Sequence, residues 1–476
     1  MTARRPDGRT AGIVAVLLLA VGPSGRPAAA QDTSAIDRGV RIGIVYRPGV
    51  RPGLVMLPRS GGGTGLDSVR AMITRDLDYS DRFEIITLPG GDSIRFATSS
   101  SPTRNPPPAS RRSSSAGTSR AAPANPGGLN YPLYQALGAD FALDVTRTGD
   151  TTLATLHDVG AADVRRTLRA ALPPPTSADY RQAVHRLGDQ VVQAALGIAG
   201  IGATRVLFVR EGKVYQIDQD GAEQKLVSST NRQAMSPAWA ADGRHFAYME
   251  FQAGKGWLYL QDMATGKRIP VSTTGTALDF TPAFSPDQQT MAFSRATEEG
   301  TDLYSINIRS NCCLRRLTVG RFSDNLSPTF SPDGQRIAFV STRPGLPQIY
   351  VMAADGTDQQ LFAPFDYGVT GSSNAPEWSP DGQSVAFHRD VAGTLQVFVL
   401  DVRTRTVRQL TSVGRNEDPT WAPDSRHLAF VSDRSGYRQL WIIDLDTGRI
   451  RPLLQQSGAR LPAWSPRLSE ATSTTP

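Results

Sequence analysis

Short apolar runs and polar turns alternate through the second half of the chain, and they recur in a fixed order. Each repeat opens with a proline followed two residues later by an aromatic residue, and the six prolines are Pro237, Pro282, Pro328, Pro376, Pro419 and Pro462. They lie 45, 46, 48, 43 and 43 residues apart. A period of this length, with turn residues between short apolar segments, is typical of the four-stranded blades of a β-propeller.

Every repeat also has the same internal order. The aromatic residue leads into a Ser-Pro-Asp-Gly turn, complete at residues 331–334 and 379–382, which favours a hairpin corner. The next apolar strand carries an alanine beside an aromatic residue, at Ala247-Tyr248, Ala292-Phe293, Ala338-Phe339, Ala386-Phe387 and Ala429-Phe430. A third strand has a central aromatic residue, at Tyr259, Tyr304, Tyr350, Phe398 and Trp441. A fourth short strand ends the repeat.

The sixth repeat is divided between the two ends of this region. Little chain follows Pro462, whereas residues 205–208 and 214–217 match the second and third strands of the other repeats. We therefore expect residues 204–228 and the strand around Trp464 to form one blade together, so that no terminal blade stays open. The sequence predicts a mainly β protein with a six-bladed β-propeller of WD40-like repeats over residues 201–466 and a tail over 467–476.

Residues 31–200 predict a small α/β domain in front of the propeller. One helix is indicated by apolar residues at helical spacing, which are Leu66, Val69, Ile73 and Leu77. A longer helix is predicted to begin with Ser177 as its N-cap and to run to about residue 196. Strands are predicted at 40–46, 83–88 and 141–145, and a short helix at 133–137.

Two segments are predicted to lie outside the folded domains, one as a cleaved signal segment and one as a disordered insertion. Residues 1–30 have the pattern of a cleavable secretory signal, with Arg4, Arg5 and Arg9 before an apolar run at 11–21 and an Ala-Ala-Ala site at 28–30. The apolar run is about half the length that spans a bilayer. Residues 97–128 are Ser, Pro, Arg, Ala and Gly, which cannot bury enough apolar surface to offset their ordering, so we predict a disordered insertion.

Charge and cysteine content exclude some functions. The net charge of +7 falls to about +4 without residues 1–30, which carry four Arg and one Asp, and this disfavours nucleic acid as a partner. The adjacent Cys312 and Cys313 cannot form a disulfide framework. They are compatible with a vicinal disulfide or with two free thiols, and the absence of a C-x-x-C spacing disfavours a redox role.

Residues that could carry catalysis do not form a recognisable set. The chain has no G-x-S-x-G motif, and its five histidines include two, His245 and His427, in the same slot of two repeats. Equivalent positions on different blades do not converge on one metal. The Asp residues of the repeated turns are expected to bond their own backbone, and a calcium ligand set in the channel is not apparent. We predict a protein without catalytic residues, metal or cofactor.

The segments before the six prolines form a candidate binding face. They all lead into equivalent strands, so they must emerge at one end of the ring, and they mix apolar, amide and charged groups. The predicted partner-binding residues from these segments are Leu278, Asp279, Phe280, Asp324, Asn325, Leu326, Asn374, Arg415 and Asn416.

These features together resemble the TolB family, the soluble periplasmic component of the Tol–Pal envelope system. The resemblance rests on the order of the signal segment, residues 40–45, the α/β domain, the junction at 196–198 before residues 205–208, and propeller phrases as far as 461–466. It implies a periplasmic monomer whose propeller mouth binds Pal, an outer-membrane lipoprotein. The contacts that the resemblance implies are Leu278, Asp279, Phe280, Asn325, Leu326 and, as a tenth predicted partner-binding residue, Thr281. It also implies that residues 31–40 bind the inner-membrane protein TolA, although this segment is longer and more polar than the family's.

The implied role is a scaffold that maintains the outer membrane and supports constriction of the envelope at division. Two alternatives stay open from the residues alone. One is a propeller enzyme related to lactonases or peptidases, and the other is a periplasmic glycan-binding sensor. The missing nucleophile motif and the dispersed histidines argue against the enzyme.

Overall fold

The computed structural model describes residues 51–58, 64–88, 129–229, 231–252, 255–271, 277–320, 323–365 and 371–468. The predicted signal segment, the predicted strand at 40–46 and the predicted insertion at 97–128 lie outside the described residues. Of the predicted tail, only residues 467 and 468 are described.

The first part of the chain forms a mixed five-stranded sheet with three helices. Its strands are β1 (Gly53–Met56), β2 (Glu84–Ile86), β3 (Ala139–Thr148), β4 (Thr151–Asp158) and β5 (Asp163–Ala171), in the order β2-β1-β3-β4-β5. The helices are α1 (Thr64–Tyr79), α2 (Tyr131–Ala136) and α3 (Tyr180–Leu196). Strand β1 is parallel to β2 and β3, whereas β3, β4 and β5 are antiparallel neighbours. The hairpin of β4 and β5 was not predicted.

The predicted face of α1 is confirmed, because its four apolar residues are buried in one core cluster with α3 and the sheet. The start of α3 differs from the prediction. The helix begins at Tyr180 with Asp179 as N-cap, so the assignment of Ser177 as cap is wrong. Ser177 lies in the preceding turn, where its backbone N donates to the carbonyl of Pro174 and its Oγ accepts from the backbone N of Asp179 at 3.2 Å.

The second part forms six four-stranded sheets, which we call blades I to VI. The chain enters through the outer strands of blade VI, β6 (Arg205–Arg210), β7 (Lys213–Asp218) and β8 (Lys225–Leu226). Blade I contains β9 (Gln233–Trp239), β10 (His245–Gln252), β11 (Lys255–Asp262) and β12 (Arg268–Pro270). Blade II contains β13 (Leu278–Phe284), β14 (Thr290–Thr297), β15 (Gly300–Asn307) and β16 (Cys312–Arg316).

The remaining blades repeat this order. Blade III contains β17 (Asn325–Phe330), β18 (Arg336–Ser341), β19 (Gln348–Ala353) and β20 (Gln360–Leu361). Blade IV contains β21 (Ser373–Trp378), β22 (Ser384–Val391), β23 (Thr394–Asp401) and β24 (Val407–Gln409). Blade V contains β25 (Asn416–Trp421), β26 (His427–Ser432), β27 (Gln439–Asp444) and β28 (Ile450–Leu454), and β29 (Arg460–Trp464) completes blade VI.

The two ends of the propeller close the ring, as predicted. Strand β29 pairs antiparallel with β6, with Trp464 opposite Val206 and Ala463 opposite Leu207. The first strands of the six blades, β9, β13, β17, β21, β25 and β29, contact one another in cyclic order. They therefore form the inner wall of the ring, and the fourth strands lie at its outer edge.

Each inner strand is kinked immediately before its proline. The residue at this position has a positive φ of 48–55° in all six blades although none is glycine, and the six are Ser236, Thr281, Ser327, Ala375, Asp418 and Leu461. The register between first and second strands shifts at the same point in every blade. The repeated x-Pro step therefore marks a β-bulge, which bends the strand around the channel.

We expect Ala375→Gly to leave the free energy of unfolding unchanged or to raise it by up to about 1 kcal/mol, because glycine adopts a positive φ without a Cβ clash. Ala386→Gly is the matched control, since Ala386 is fully buried in β22 of the same blade. This variant should lose about 1 kcal/mol of unfolding free energy. Urea unfolding of both variants is the measurement. Equal losses at the two positions would contradict the proposed relief of strain.

Candidate partner-binding surface

The strand directions give the ring two distinct faces. Antiparallel neighbours place the turns between first and second strands, and between third and fourth strands, at one end of every blade. We call this end the turn face. The hairpins between second and third strands and the loops that lead into each first strand lie at the opposite end, which we call the mouth face. The ten predicted partner-binding residues lie at or near the starts of the first strands, on the mouth-face side.

Three of these ten residues are buried, which the sequence did not predict. Asp279, Asn325 and Asn416 are at most 2% exposed, and each is part of a first strand instead of a loop. Each accepts a hydrogen bond from an arginine of its own blade. Asp279 pairs with Arg295 at 2.6 and 2.8 Å, Arg343 donates to Asn325 Oδ1 at 3.2 Å, and Arg434 donates to Asn416 Oδ1 at 3.0 Å.

The arginines are themselves stacked on the aromatic residues of the second and third strands. Arg295 lies over Phe293 and Tyr304, with its guanidinium carbon 5.4 and 5.1 Å from the ring centroids. Equivalent stacks in other blades are Arg343 on Phe339 and Tyr350, Arg389 on Phe387 and Phe398, and Arg434 on Phe430 and Trp441. Asp279, Asn325 and Asn416 thus each hold the arginine of their own blade in place. These contacts stabilise the mouth-face end of the blade.

Two of the same side chains also join neighbouring blades. Asn325 Nδ2 donates to Asp302 Oδ1 of blade II at 3.0 Å, and Asn416 Nδ2 donates to Gln396 Oε1 of blade IV at 2.8 Å. Both asparagines are fully buried, so these amide groups have no access to a partner protein. Both asparagines therefore join neighbouring blades, and contact with a partner stays a prediction.

Phe280 and Leu326, which with Leu278 are the large apolar side chains among the predicted contacts, are half-buried in the structure. Phe280 packs against the buried core shared by blades I and II, and Leu326 packs against the core shared by blades III and IV. Thr281 is half-buried, with its Oγ1 2.6 Å from Ser294 Oγ. Leu278 is half-buried at the start of β13. These four residues are therefore half-buried, and three of them also take part in packing or hydrogen bonding within the ring.

The other three predicted residues have charged or amide side chains that are exposed or half-buried. Asp324 is exposed, and its Oδ1 accepts from the backbone N of Thr301 at 3.2 Å. Arg415 is half-buried and donates to Glu417 Oε2 at 3.1 Å. Asn374 is half-buried in β21. Charged and amide groups are thus available at the entrances to blades III, IV and V.

Among the residues that the structure describes, five exposed large apolar side chains lie on the same mouth face and were missed by the sequence analysis. They are Val319 (76% exposed), Val413 (63%), Tyr437 (51%), Leu346 (49%) and Val391 (39%). Val319 and Val413 are in the loops that lead into blades III and V, and the other three are at hairpins of blades III, IV and V. We call these five residues the apolar arc. Their common sequence signal is an apolar residue beside or near a glycine in a connection between strands.

Two acidic groups in the inner wall near the arc have raised pKa values. Burial raises the pKa of Glu377 to about 7, although Thr420 Oγ1 and the backbone N of Trp421 donate to its Oε1 at 3.0 and 2.9 Å. Burial, together with nearby Glu417, raises the pKa of Asp418 to about 6. Burial lowers the pKa of His388 to about 4, and its Nδ1 accepts from the backbone N of Asp418 at 3.1 Å. His388 is therefore neutral with one nitrogen already engaged.

Two further clusters combine one histidine with two aspartates within metal-ligating distance of one another. One is Asp81, His427 and Asp444, and the other is His185, Asp218 and Asp220. In the first, the Arg426 guanidinium already pairs with both oxygens of Asp444. In the second, Arg181 donates to Asp218 at 3.3 Å and to Asp220 at 2.6 Å. Because arginine charges already neutralise these carboxylates, neither cluster fits a divalent cation.

These clusters join the α/β domain to the propeller. Asp81 follows α1 and His185 lies in α3, whereas their partners lie on the turn face of blades V and VI. Arg449 of blade V binds Asp78 Oδ2 at 2.8 Å and Asp81 Oδ1 at 3.0 Å. The α/β domain therefore occupies the turn face beside blades V and VI, opposite the apolar arc. We call this set of ion pairs the domain joint.

The chain shares its repeats with known β-propeller proteins. The family model PD40, described as the TolB beta propeller domain, matches residues 193–366 and 367–472. The Tol-Pal system protein TolB of Bordetella pertussis is 28% identical over 234 residues, covering 47% of this chain and 52% of that protein. The TolB of Bordetella parapertussis is 27% identical over the same coverage. The chain thus spans about half the length of the curated relatives it matches.

A solved structure supports the fold over a longer stretch. The crystal structure of TolB from Acinetobacter baumannii superposes with a TM-score of 0.69 at 24% identity, covering 88% of this chain and 98% of that one. Within the part of the chain that the structure describes, every helix is too short or too polar to cross a bilayer. Because the family model matches more than half of the residues, this chain belongs to the TolB β-propeller family.

Proposed function

We propose that this protein is a non-catalytic binding component of a Tol–Pal system, exported to the periplasm. Its mouth face binds a Pal-like outer-membrane lipoprotein, and its residues 31–40 bind a TolA-like inner-membrane protein. Together these contacts maintain the outer membrane and support envelope constriction at division. Support comes from the family match, from relatives named Tol-Pal system protein TolB, and from the predicted signal segment.

The apolar arc is the observation that carries the proposal. Its five side chains are spread over three consecutive blades on one face of the ring, and single exposed apolar residues become informative when they are grouped in this way. Charged and amide groups at Asp324, Asn374 and Arg415 border the same blades and supply the polar rim of a protein interface. The opposite face beside blades V and VI is already occupied by the α/β domain.

Binding explains the buried ionisable groups better than catalysis does. The buried histidines His185 and His427 are each engaged by carboxylates of the domain joint. His388 is neutral and accepts a backbone hydrogen bond, so it lacks the free basic nitrogen that proton transfer to a substrate requires. We therefore assign the mouth to recognition of a partner.

We expect the double variant Val413→Asp/Tyr437→Ala to bind a purified Pal-like lipoprotein domain about thirty-fold more weakly. Removing two apolar side chains from the centre of an interface costs about 2 kcal/mol, and the new carboxylate adds a desolvation cost. The measurement is a calorimetric titration. A melting curve should be unchanged, because both side chains are more than half exposed.

The matched control is Ile269→Asp/Leu361→Ala, which alters two exposed apolar residues on outer strands β12 and β20. Its affinity should equal that of the unaltered protein. If both double variants bind equally well, the mouth face is not the contact surface. If the unaltered protein binds peptidoglycan fragments but not the lipoprotein domain, a glycan-binding role replaces the one proposed here.

A further inference from the structure

Cys312 and Cys313 are joined to each other by a disulfide at the start of β16. This strand is the outermost of blade II, and all five of its residues are exposed. Both sulfurs therefore belong to residues that solvent and other molecules reach from the rim of the ring. The bridge lies at the turn-face end of blade II, whereas the domain joint involves blades V and VI.

The turn before β16 does not need the bridge. Asn307 Oδ1 accepts from the backbone N and Oγ of Ser310 at 3.0 and 2.8 Å. Blade IV builds the same turn without cysteine, where Asp401 Oδ1 accepts from the backbone N and Oγ1 of Thr404 at 2.7 and 2.8 Å. Blades I and V repeat it with Asp262 and Asp444. The side chain of Asn307 is thus sufficient to close the turn.

The bridged pair has an unusual backbone for its position. Cys313 has a φ of +64°, in the left-handed region that non-glycine residues avoid. Counted from the turn, its counterparts in blades I, IV and V are Arg268, Val407 and Ile450, none of which has a positive φ. The pairing of β15 with β16 shifts between Ser305 and Asn307, so Cys313 lies in a β-bulge. A bridge between adjacent residues also closes the shortest chain loop, so it restricts the unfolded chain very little. The bridged pair therefore contains a residue with a strained backbone, and the bridge itself contributes little stability.

We propose that Cys312–Cys313 is a thiol–disulfide exchange site, oxidised in this structure and reduced by a protein dithiol of the thioredoxin type. A thiolate of the reductant attacks one bridge sulfur, and its second thiol then releases the mixed disulfide. The Sγ–Sγ bond breaks, the cysteines gain two electrons and two protons, and the reductant becomes a disulfide. Exposure of both residues and relief of the strained Cys313 backbone favour this exchange.

The surroundings support reactivity at this point. Arg309 and Arg315 flank the pair along the chain, and Ser310 Oγ, whose hydrogen is donated to Asn307, lies 3.1 Å from Cys312 Sγ. Positive charge stabilises a thiolate, which makes it a better leaving group in exchange. Arg315 also donates to the backbone carbonyl of Asp355 in blade III at 2.7 Å. Opening the bridge thus alters a strand that contacts the next blade.

The test uses the full protein without its signal segment, under native conditions. Dithiothreitol at about 1 mM, followed by alkylation and mass spectrometry, should show complete reduction of the pair, as expected for an exposed, strained disulfide. The melting temperature should shift by less than about 1 °C. Amide hydrogen exchange of residues 312–314 should become at least about tenfold faster, while β28 of blade V, the equivalent strand, stays unchanged.

The reduced pair should also bind one equivalent of phenylarsine oxide, because two adjacent thiolates chelate a soft centre. The variants Cys312→Ser and Cys313→Ser are the controls, and each should fail to bind the arsenical tightly. Resistance to reduction unless the protein is first denatured would overturn the proposal. A fall of about 5 °C or more in the melting temperature on reduction would also overturn it, by showing that the bridge is a structural staple.

Discussion

A chain ended at Gln455 is expected to lose its closed ring and at least about 5 kcal/mol of stability. Removal of β29 breaks its pairing with β6 and takes away Trp464, whose backbone N donates to Thr420 Oγ1 at 3.0 Å. Loss of one buried Trp side chain costs about 3–5 kcal/mol, and the exposed edge of β6 adds to this. Because a domain is stable by only about 5–15 kcal/mol, the truncated protein should unfold or associate.

Thermal melting and size-exclusion chromatography are the measurements. The matched control ends at Leu468 and so keeps β29 intact, and it should melt and elute like the longer chain. Trp464→Ala should show an intermediate loss of about 3–5 kcal/mol. A monomeric chain ended at Gln455 with an unchanged melting temperature would show that the ring does not depend on its split blade.

The second large effect is a loss of stability with rising pH at the domain joint. His427 is fully buried, and its Nδ1 and Nε2 lie 2.8 Å from Asp424 Oδ2 and 3.3 Å from Asp81 Oδ2. Burial alone lowers the pKa of His427, but Asp424, Asp81 and Asp444 together raise it to about 9. Its charge therefore stabilises the folded protein fully below the unfolded pKa of about 6.5, and this is lost as pH rises to about 9.

The expected loss between pH 6 and pH 9.5 is about 3 kcal/mol from His427, since each pKa unit corresponds to about 1.4 kcal/mol. Urea unfolding across this range is the measurement. His427→Gln should be less stable at pH 6 and should show a flatter pH dependence. His245→Gln is the matched control, because His245 occupies the same slot of blade I but contacts only Asp242 and Asp262 of its own blade.

If His427→Gln shows the same pH dependence of stability as the unaltered protein and the control, the charge on His427 does not stabilise the domain joint. His185 adds to the expected effect in the same direction. Burial alone lowers its pKa, but hydrogen bonding to Asp76 and the nearby Asp218 and Asp220 raise it. A stability that rises with pH over this range would contradict both assignments.

The sequence predicts the propeller well because the information for a blade is repeated. The Ala–aromatic pairs are buried in the five blades that have them, so periodicity alone locates the strands, and the unpaired halves at 204–228 and Trp464 identify the closure. Single elements carry no such repetition. Ser177 and Asp179 are both good N-caps, and the choice between them depends on the turn that begins at Pro174.

The candidate site was harder to predict than the fold for a physical reason. Burial at a strand start depends on a partner from another strand, and Asn325 and Asn416 are buried because Arg343 and Arg434 reach back to them. Exposure at a hairpin depends on its tip, which the repeat does not specify. Tyr437 and Leu346 stand one residue after a glycine in equivalent hairpins, and this shared signal becomes visible once the blades are aligned.

Blade V connects the two surfaces of the molecule mechanically. Strand β26 starts at His427 in the domain joint and ends near Tyr437 of the apolar arc. Strand β27 returns to Asp444, and Arg449 lies in the turn that follows. The two strands are paired at six residues, from His427 opposite Asp444 to Ser432 opposite Gln439, a length of about 20 Å. A force applied at Tyr437 is therefore transmitted through these two paired strands to the ion pairs of the domain joint. A force on the mouth face of blade V reaches the domain joint through hydrogen bonds and buried side chains, without crossing a flexible linker.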